Sequence, residues 1–222
     1  MNIKEIYEEF DKIGSLSFAT IDDEGYPQSR IAHFFAYDDE GLYFRTMSVK
    51  PFYRELKRSG KVAASGIWPT SKIGHDENNL PLFNPGYTIR ISGDIRELTE
   101  DEVAKKASET ELFNVAVFDK NKYPMTRCFV IYRAKGEIYD YDYAKVNRDH
   151  KIERRLFSFG GMDNNPGGLV ITNRCVGCNG CRRRCSFSAI EKGDPFKIID
   201  DRCDRCGNCY GKCPSNAIEI RE

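Results

Sequence analysis

The sequence predicts a mostly β protein: an antiparallel barrel with short helices, followed by a small cysteine-rich α+β domain. Three observations lead there. Six short apolar or period-two runs, separated by turn formers, occupy much of residues 15–141. Helical periodicity breaks in at only a few places and does not alternate regularly with those runs. Eight of the nine cysteines lie between positions 175 and 213, so the composition changes abruptly near residue 165.

Taken in order, Ile3, Ile6, Tyr7, Phe10 and Ile13 recur at helical spacing and predict an amphipathic helix over 2–13. Strands are expected at 15–22, 28–37, 42–46, 61–68, 87–98 and 128–141, mostly joined by hairpins. The sequence Asp-Asp-Glu-Gly occurs at 22–25 and again at 38–41 as a turn signal. Two helices interrupt the strands, one over 50–59 and one over 100–110, where Thr99 and Glu102 have the capping-box spacing. The stretch 69–86 carries three prolines and little periodicity, and reads equally as a lid over a site or a long connection. Residues 159–168, Phe-Gly-Gly-Met-Asp-Asn-Asn-Pro-Gly-Gly, are rich in turn formers and read as a linker between domains 1–158 and 169–222.

Composition narrows the function. The chain has 222 residues, 40% hydrophobic and 31% charged, as expected of a soluble globular protein. Lys plus Arg and Asp plus Glu number 34 each, so the basic surplus of a nucleic-acid binder is missing. No apolar stretch is long enough to span a bilayer, and the start, charged from Lys4, lacks a signal-peptide core. The expected setting is therefore the cytoplasm, with neither nucleic acid nor membrane as partner. Of the charged residues, 10 Lys and Arg and 7 Asp and Glu fall in 168–222, leaving the first part slightly acidic.

The cysteines form two runs with one spacing. Cys175, Cys178, Cys181 and Cys185 read C-x2-C-x2-C-x3-C, and Cys203, Cys206, Cys209 and Cys213 repeat it 28 residues later. Three thiolates two residues apart wrap one iron-sulfur cube, while the fourth, on a following helix, reaches the other cluster. The expected ligand sets are Cys175, Cys178, Cys181 and Cys213 for one [4Fe-4S] cluster, and Cys203, Cys206, Cys209 and Cys185 for the other. Two zinc sites are the alternative, but zinc usually pairs two C-x2-C knuckles across a longer loop. Disulfides do not suit a reducing compartment. Gly177, Gly180, Gly207 and Gly211 suit close backbone approach, and Ala189-Ile190 and Ala217-Ile218 are expected to shield the clusters. Residues 169–222 resemble a bacterial two-cluster ferredoxin, with Ser186 standing where the second repeat has Pro214. The run Arg182, Arg183 and Arg184 reads as a solvated helix face offsetting cluster charge, or as a docking surface for an acidic electron donor.

In the barrel, Arg30 lies on a strand, Thr46 ends another, and Ser48 and Lys50 precede a helix. A guanidinium, two hydroxyls, an ammonium and helix amides are what a phosphate monoester requires. Residues 1–142 resemble the pyridoxamine 5'-phosphate oxidase-like flavin-binding split barrels. The carriers of that resemblance are the Gly25-Tyr26-Pro27 hairpin, the arginine strand, Leu42-Tyr43-Phe44-Arg45-Thr46 and Lys50 before a helix. The resemblance implies FMN at a homodimer interface, with Arg30, Thr46, Ser48 and Lys50 around phosphate and ribityl. It also implies the backbone of Ile31, Ala32 and His33 along the isoalloxazine edge. Members that carry deazaflavin or haem, or no flavin, leave those alternatives open.

Other residues read more plainly. His33 is expected in the core or a cleft, His75 in an exposed loop, Trp68 in the core or at a dimer contact, and Cys128 as a buried strand cysteine. The stretch 137–143, rich in tyrosine and acid, reads as an edge strand leaving the barrel. Together the two halves predict an FMN and iron-sulfur oxidoreductase that passes electrons between the clusters and a flavin reducing a small organic acceptor. An external electron donor or acceptor protein is the expected partner. The rival is a non-enzymatic electron carrier or redox sensor built on the same centres.

Overall fold

Asn2 starts the first helix from outside it: its side chain accepts from the Glu5 amide at 2.9 Å while the Glu5 carboxylate accepts from the Asn2 amide at 2.9 Å. The computed structural model describes residues 1–69, 74–79, 81–82, 86–117, 119–141, 151–165 and 167–221. Helix α1, Ile3–Ile13, buries Ile6, Phe10 and Ile13, the expected stripe, and leads into strand β1, Leu16–Ile21. β1 turns back as β2, Pro27–Ala32, in a hairpin whose register sets Phe18 opposite Arg30 and Ser17 opposite Ile31.

The expected strand 28–37 is two strands, β2 and β3, Ala36–Tyr37. The physical reason lies at Phe34 and Phe35, which are consecutive and both buried. A continuous strand would send one of them to solvent. Here Phe34 packs on Phe10 and Phe18 with ring centres 5.1 Å apart, and Phe35 meets Phe113 at 5.6 Å.

The chain continues through β4, Leu42–Met47, helix α2, Pro51–Ser59, and β5, Lys61–Trp68. Two short paired strands follow, β6, Gly74–His75, and β7, Pro81–Leu82, inside the stretch expected as a lid or connection; positions 70–73, 80 and 83–85 of that stretch lie outside the described residues. Next come β8, Tyr87–Glu97, and α3, Glu100–Glu109, whose Thr99–Glu102 capping box forms as the spacing predicts. Two short helical turns that periodicity does not reveal, Glu111–Phe113 and α4, Asn114–Val117, precede β9, Thr126–Asp140. A further strand the sequence reading omits, β10, Glu153–Phe159, pairs with β9.

The barrel sheet runs β2-β1-β5-β8-β9-β4-β3, with β10 on β9. The β1–β2 and β3–β4 neighbours are hairpins, but the others join across helices or long connections, so hairpins link fewer strands than expected. Its interior is aromatic: Phe18, Phe34, Phe44, Phe52 and Phe129 form a chain of ring contacts. Gly136 on β9 permits close packing, because a Cβ there would overlap the Arg90 carbonyl oxygen and the Phe157 ring. Gly136→Ala is therefore expected to destabilise the barrel by about 1–3 kcal/mol, read as a lower urea midpoint.

Two compact units emerge: residues 1–70, 88–137 and 156–164, and residues 71–87, 138–155 and 165–222. The segment expected as linker is tied to the first unit by Asn164, whose side-chain amide donates to the carbonyls of Gly136 at 2.7 Å and Phe157 at 3.0 Å. In the second unit β11, Gly168–Ile171, pairs antiparallel with the last strand, β14, Ile218–Arg221. Between them lie helix α5, Gly180–Arg184, and the pair β12, Ile190–Glu191, and β13, Lys197–Ile198. Leu169, Ile171, Ile190, Phe196, Ile198 and Ile218 make its core, and Cys175, Cys181, Cys185, Cys203 and Cys213 pack against it. Among the described residues, no helix is long and apolar enough to cross a membrane.

Candidate functional site

The 28-residue repeat is also a repeat of backbone geometry. Left-handed residues fall at Gly177 and Arg205, at Asn179 and Gly207, and at Ser188 and Asn216, each pair 28 apart. The hydrogen bonds match too: the Cys175 amide donates to Thr172 and the Cys203 amide to Asp200, while the Cys185 amide donates to Arg182 and the Cys213 amide to Tyr210. Each fourth cysteine therefore closes a short helical turn, α5 or Tyr210–Lys212, and does not sit on a following helix as the sequence reading expects.

This loop shape turns amides toward sulfur. The Ala189 amide donates to Cys185 Sγ and the Ala217 amide to Cys213 Sγ, both at 3.3 Å, and the Arg205 amide donates to Cys203 Sγ at 3.4 Å. Ala189, Ile190, Ala217 and Ile218 are all buried around them. Cys185 lines one small cavity of about 20 Å³ with Cys203, Cys206 and Cys209, so the fourth cysteine of the first run meets the first three of the second. In the first run Cys178 faces Lys212 and Pro214, which flank Cys213. Burial raises the thiols of Cys181 and Cys203 and pushes that of Cys209 up to about 11. Burial acts the same way on Cys213, but hydrogen bonds from Ser215 and from the Ala217, Ser215 and Ile218 amides outweigh it and hold that thiol below its usual range. Among the described residues, no three Cys, His, Asp or Glu groups are placed to share a single ion.

In the barrel unit, Arg30 reaches inward from β2. Its Nη1 donates to Thr20 Oγ1 at 2.7 Å and pairs with Glu55 Oε2 at 2.7 Å, and its guanidinium lies 4.4 Å from the Phe52 ring centre. Thr20 in turn donates to Glu55, which is only 5% exposed. Sequence reasoning misses this partnership, although the signal is present: Phe52, Glu55 and Leu56 share the buried face of α2, and a carboxylate on that face needs a cation. Arg30 Nε and Nη2 make no hydrogen bond to the described residues.

Lys50 is the N-cap residue of α2, exposed and without an ion pair among the described residues. Thr46 on β4 is 7% exposed, and its hydroxyl has no partner among the described residues. Ser48 is anchored through its amide to the Met125 carbonyl at 2.8 Å and through its hydroxyl to Met125 Sδ at 3.5 Å. The turn 46–50 and Arg30 thus converge on α2, with donors to spare for an anion. An open pocket of about 500 Å³ nearby, lined by Asp22, Asp23, Arg54 and Glu55, has too many carboxylates to attract one.

Ile31, next to Arg30, points the other way and is 71% exposed; Ala32 is half-buried. His33 is exposed, which corrects the expectation of a core or cleft position: β2 ends at Ala32 and the burial passes to Phe34 and Phe35. His75 is exposed in β6, and Trp68 is 36% exposed at the end of β5. Cys128 is buried, and burial pushes its thiol up to about 12, as fits an inert strand cysteine. Positions 142 and 143 of the tyrosine-rich stretch lie outside the described residues, while 137–140 belong to β9.

The pyridoxamine 5'-phosphate oxidase profile matches residues 3–131, and the 4Fe-4S binding domain profile matches residues 196–219, the second cysteine run. No curated protein matches the chain. Solved structures of similar shape include a NimC/NimA family protein from Clostridium acetobutylicum, 19% identical, covering 71% of this chain and 92% of its own, with a TM-score of 0.49. PhzG from Burkholderia lata, solved with tetrahydrophenazine-1-carboxylic acid, is 17% identical, covering 69% of this chain and 86% of its own, with a TM-score of 0.43. HutZ, described as a heme storage protein from Vibrio cholerae, is 16% identical, covering 60% of this chain and 90% of its own, with a TM-score of 0.39.

Proposed function

Because the chain belongs to the pyridoxamine 5'-phosphate oxidase family over residues 3–131 and carries a 4Fe-4S ferredoxin motif, we propose that it is an FMN and iron-sulfur oxidoreductase reducing a small organic acceptor. The observation that carries the reading is the joining in one chain of a family barrel with donors spare on Arg30 and the 46–50 turn to a module in which Cys185 of one cysteine run lines a cavity with Cys203, Cys206 and Cys209 of the other. When bound, FMN supplies two-electron chemistry toward the acceptor and two [4Fe-4S] clusters supply single electrons.

The chain's own residues bind and shield. Lys50 and Arg30 would neutralise phosphate charge, the Thr46 and Ser48 hydroxyls would add donors, and the backbone of Ile31, Ala32 and His33 would face the ring system. Cys175, Cys178, Cys181 and Cys213 hold one cluster, and Cys203, Cys206, Cys209 and Cys185 hold the other. The amides of Ala189, Arg205 and Ala217 stabilise thiolate charge, and Leu169, Phe187, Ile190 and Ile198 keep water from the second cluster.

The reading includes a homodimer in the cytoplasm. β2 is an edge strand, and its outer face joins Ile31 to Ser17 and Ser65 in register, with Ile67 two residues further along β5 and 47% exposed. A second copy would cover that face and edge.

Anaerobic purification with iron, sulfide and flavin quantitation, followed by steady-state turnover with a quinone acceptor, tests the proposal. The expected result is about eight irons and one flavin per chain, with acceptor-dependent oxidation of the reduced protein over many turnovers. Full cofactor content with a single stoichiometric oxidation and no turnover would replace the enzyme with an electron carrier or sensor.

A further inference from the structure

The first cysteine run is bordered by an open cationic pocket. Arg183 and Arg184 from α5, Lys212 from the turn Tyr210–Lys212, and Cys178 line about 460 Å³ with no carboxylate among the lining residues. All four side chains are exposed, and the three cations have no ion pair among the described residues. On the other side of residues 211–214 opens a second pocket of about 590 Å³, where Tyr210 and Ile220 stand beside Cys213 and the ion pair of Arg174 with Glu219. Tyr210 is 47% and Ile220 67% exposed.

The second run is treated differently within the same unit. Arg154 Nε donates to the Cys203 carbonyl at 3.2 Å and its guanidinium stacks 4.6 Å from the Tyr139 ring centre, while the Tyr139 hydroxyl donates to Asp204. These contacts hold the 203–204 end of that run, while further along it Cys206, Tyr210 and Lys212 are exposed, as Cys178 is in the first run.

We propose that this face docks a small acidic electron-carrier protein, with its carboxylates on Arg183, Arg184 and Lys212 and its apolar centre on Tyr210 and Ile220. The proposal rests on the reading of Cys175, Cys178, Cys181 and Cys213 as a cluster site. Charge complementarity selects the occupant: three exposed cations around Cys178 favour a negative surface and steer its approach. The aromatic and aliphatic groups beside them match the composition of protein interfaces.

The test measures binding of an acidic flavodoxin to the holoprotein by calorimetry at low and at high salt. Arg183→Gln/Arg184→Gln/Lys212→Gln is expected to weaken binding about tenfold or more at low salt and to flatten its salt dependence. Tyr210→Ala is expected to weaken it about tenfold with the salt dependence retained. Lys4→Gln/Lys105→Gln/Lys135→Gln, which removes the same net charge elsewhere, should leave affinity within about twofold. Equal weakening by both triple variants, unchanged binding in the first, or inorganic phosphate binding without flavodoxin binding would overturn the proposal. So would self-association at low salt that the first triple variant abolishes, because the occupant would then be a second copy. Iron and sulfide are assayed on the same samples, so a chain without clusters counts against the cysteine assignment while the binding result still decides the surface.

Discussion

Cys213→Ala is expected to lose the cluster of the opposite repeat, so that iron falls from about eight to about four per chain while the centre held by Cys203, Cys206, Cys209 and Cys185 survives. Cys185→Ala is the mirror experiment. The geometry makes the second case explicit, because Cys185 shares a cavity wall with Cys203, Cys206 and Cys209. Removing its thiolate leaves three ligands and one open coordination position. Because each fourth cysteine also anchors an amide bond from Ala189 or Ala217, cysteine to serine is a gentler companion that keeps a hydrogen-bond acceptor. Iron analysis with low-temperature EPR of the reduced variants separates the two centres. Loss in Cys213→Ala of the centre bound by Cys203, Cys206 and Cys209 would reverse the ligand assignment.

Arg30→Ala and Lys50→Ala are both expected to lose flavin, but only the first should also lose stability. On the proposed flavin placement, each would delete a charge-assisted contact to phosphate, about 1.5–3 kcal/mol, or roughly a tenfold to hundredfold loss of affinity. Arg30 additionally pairs with Glu55, so its removal leaves a buried carboxylate with Thr20 alone, at a cost of about 3 kcal/mol. Lys50 is exposed and unpaired among the described residues, so Lys50→Ala should unfold with the wild type. Fluorescence of the single tryptophan, Trp68 at the end of β5, follows the barrel in urea, and released flavin is read in the filtrate. Unaltered flavin content in both variants would remove the phosphate from this corner. Equal stability of Arg30→Ala and wild type would mean that the Glu55 pair contributes nothing.

The local rules were legible in the sequence wherever the information is itself local. The stripe of α1, the Thr99–Glu102 cap, β5 over 61–68 and both cysteine runs need only periodicity, capping chemistry and ligand spacing, which neighbours in sequence supply. What failed depended on distant partners. The break between β2 and β3 arises because Phe34 and Phe35 find separate pockets, one beside Phe10 and Phe18 and the other beside Phe113. β10 has a polar sequence and becomes a strand through pairing with β9.

For the site, the sequence by itself determined the donor chemistry: eight cysteines in two matched runs, and Arg30, Thr46, Ser48 and Lys50 around a strand and a helix start. Tertiary structure alone decided which of those donors are already engaged. Glu55 lies 25 positions from Arg30, and no spacing rule joins them; the fold does, by laying α2 against β1 and β2 so that a buried carboxylate must find a cation. Charge spacing along the chain likewise shows the Arg182–Arg184 run, but not that Lys212 turns to face it beside Cys178. Burial and long-range electrostatics are properties of the packed chain, which is why they appear only once the elements are assembled.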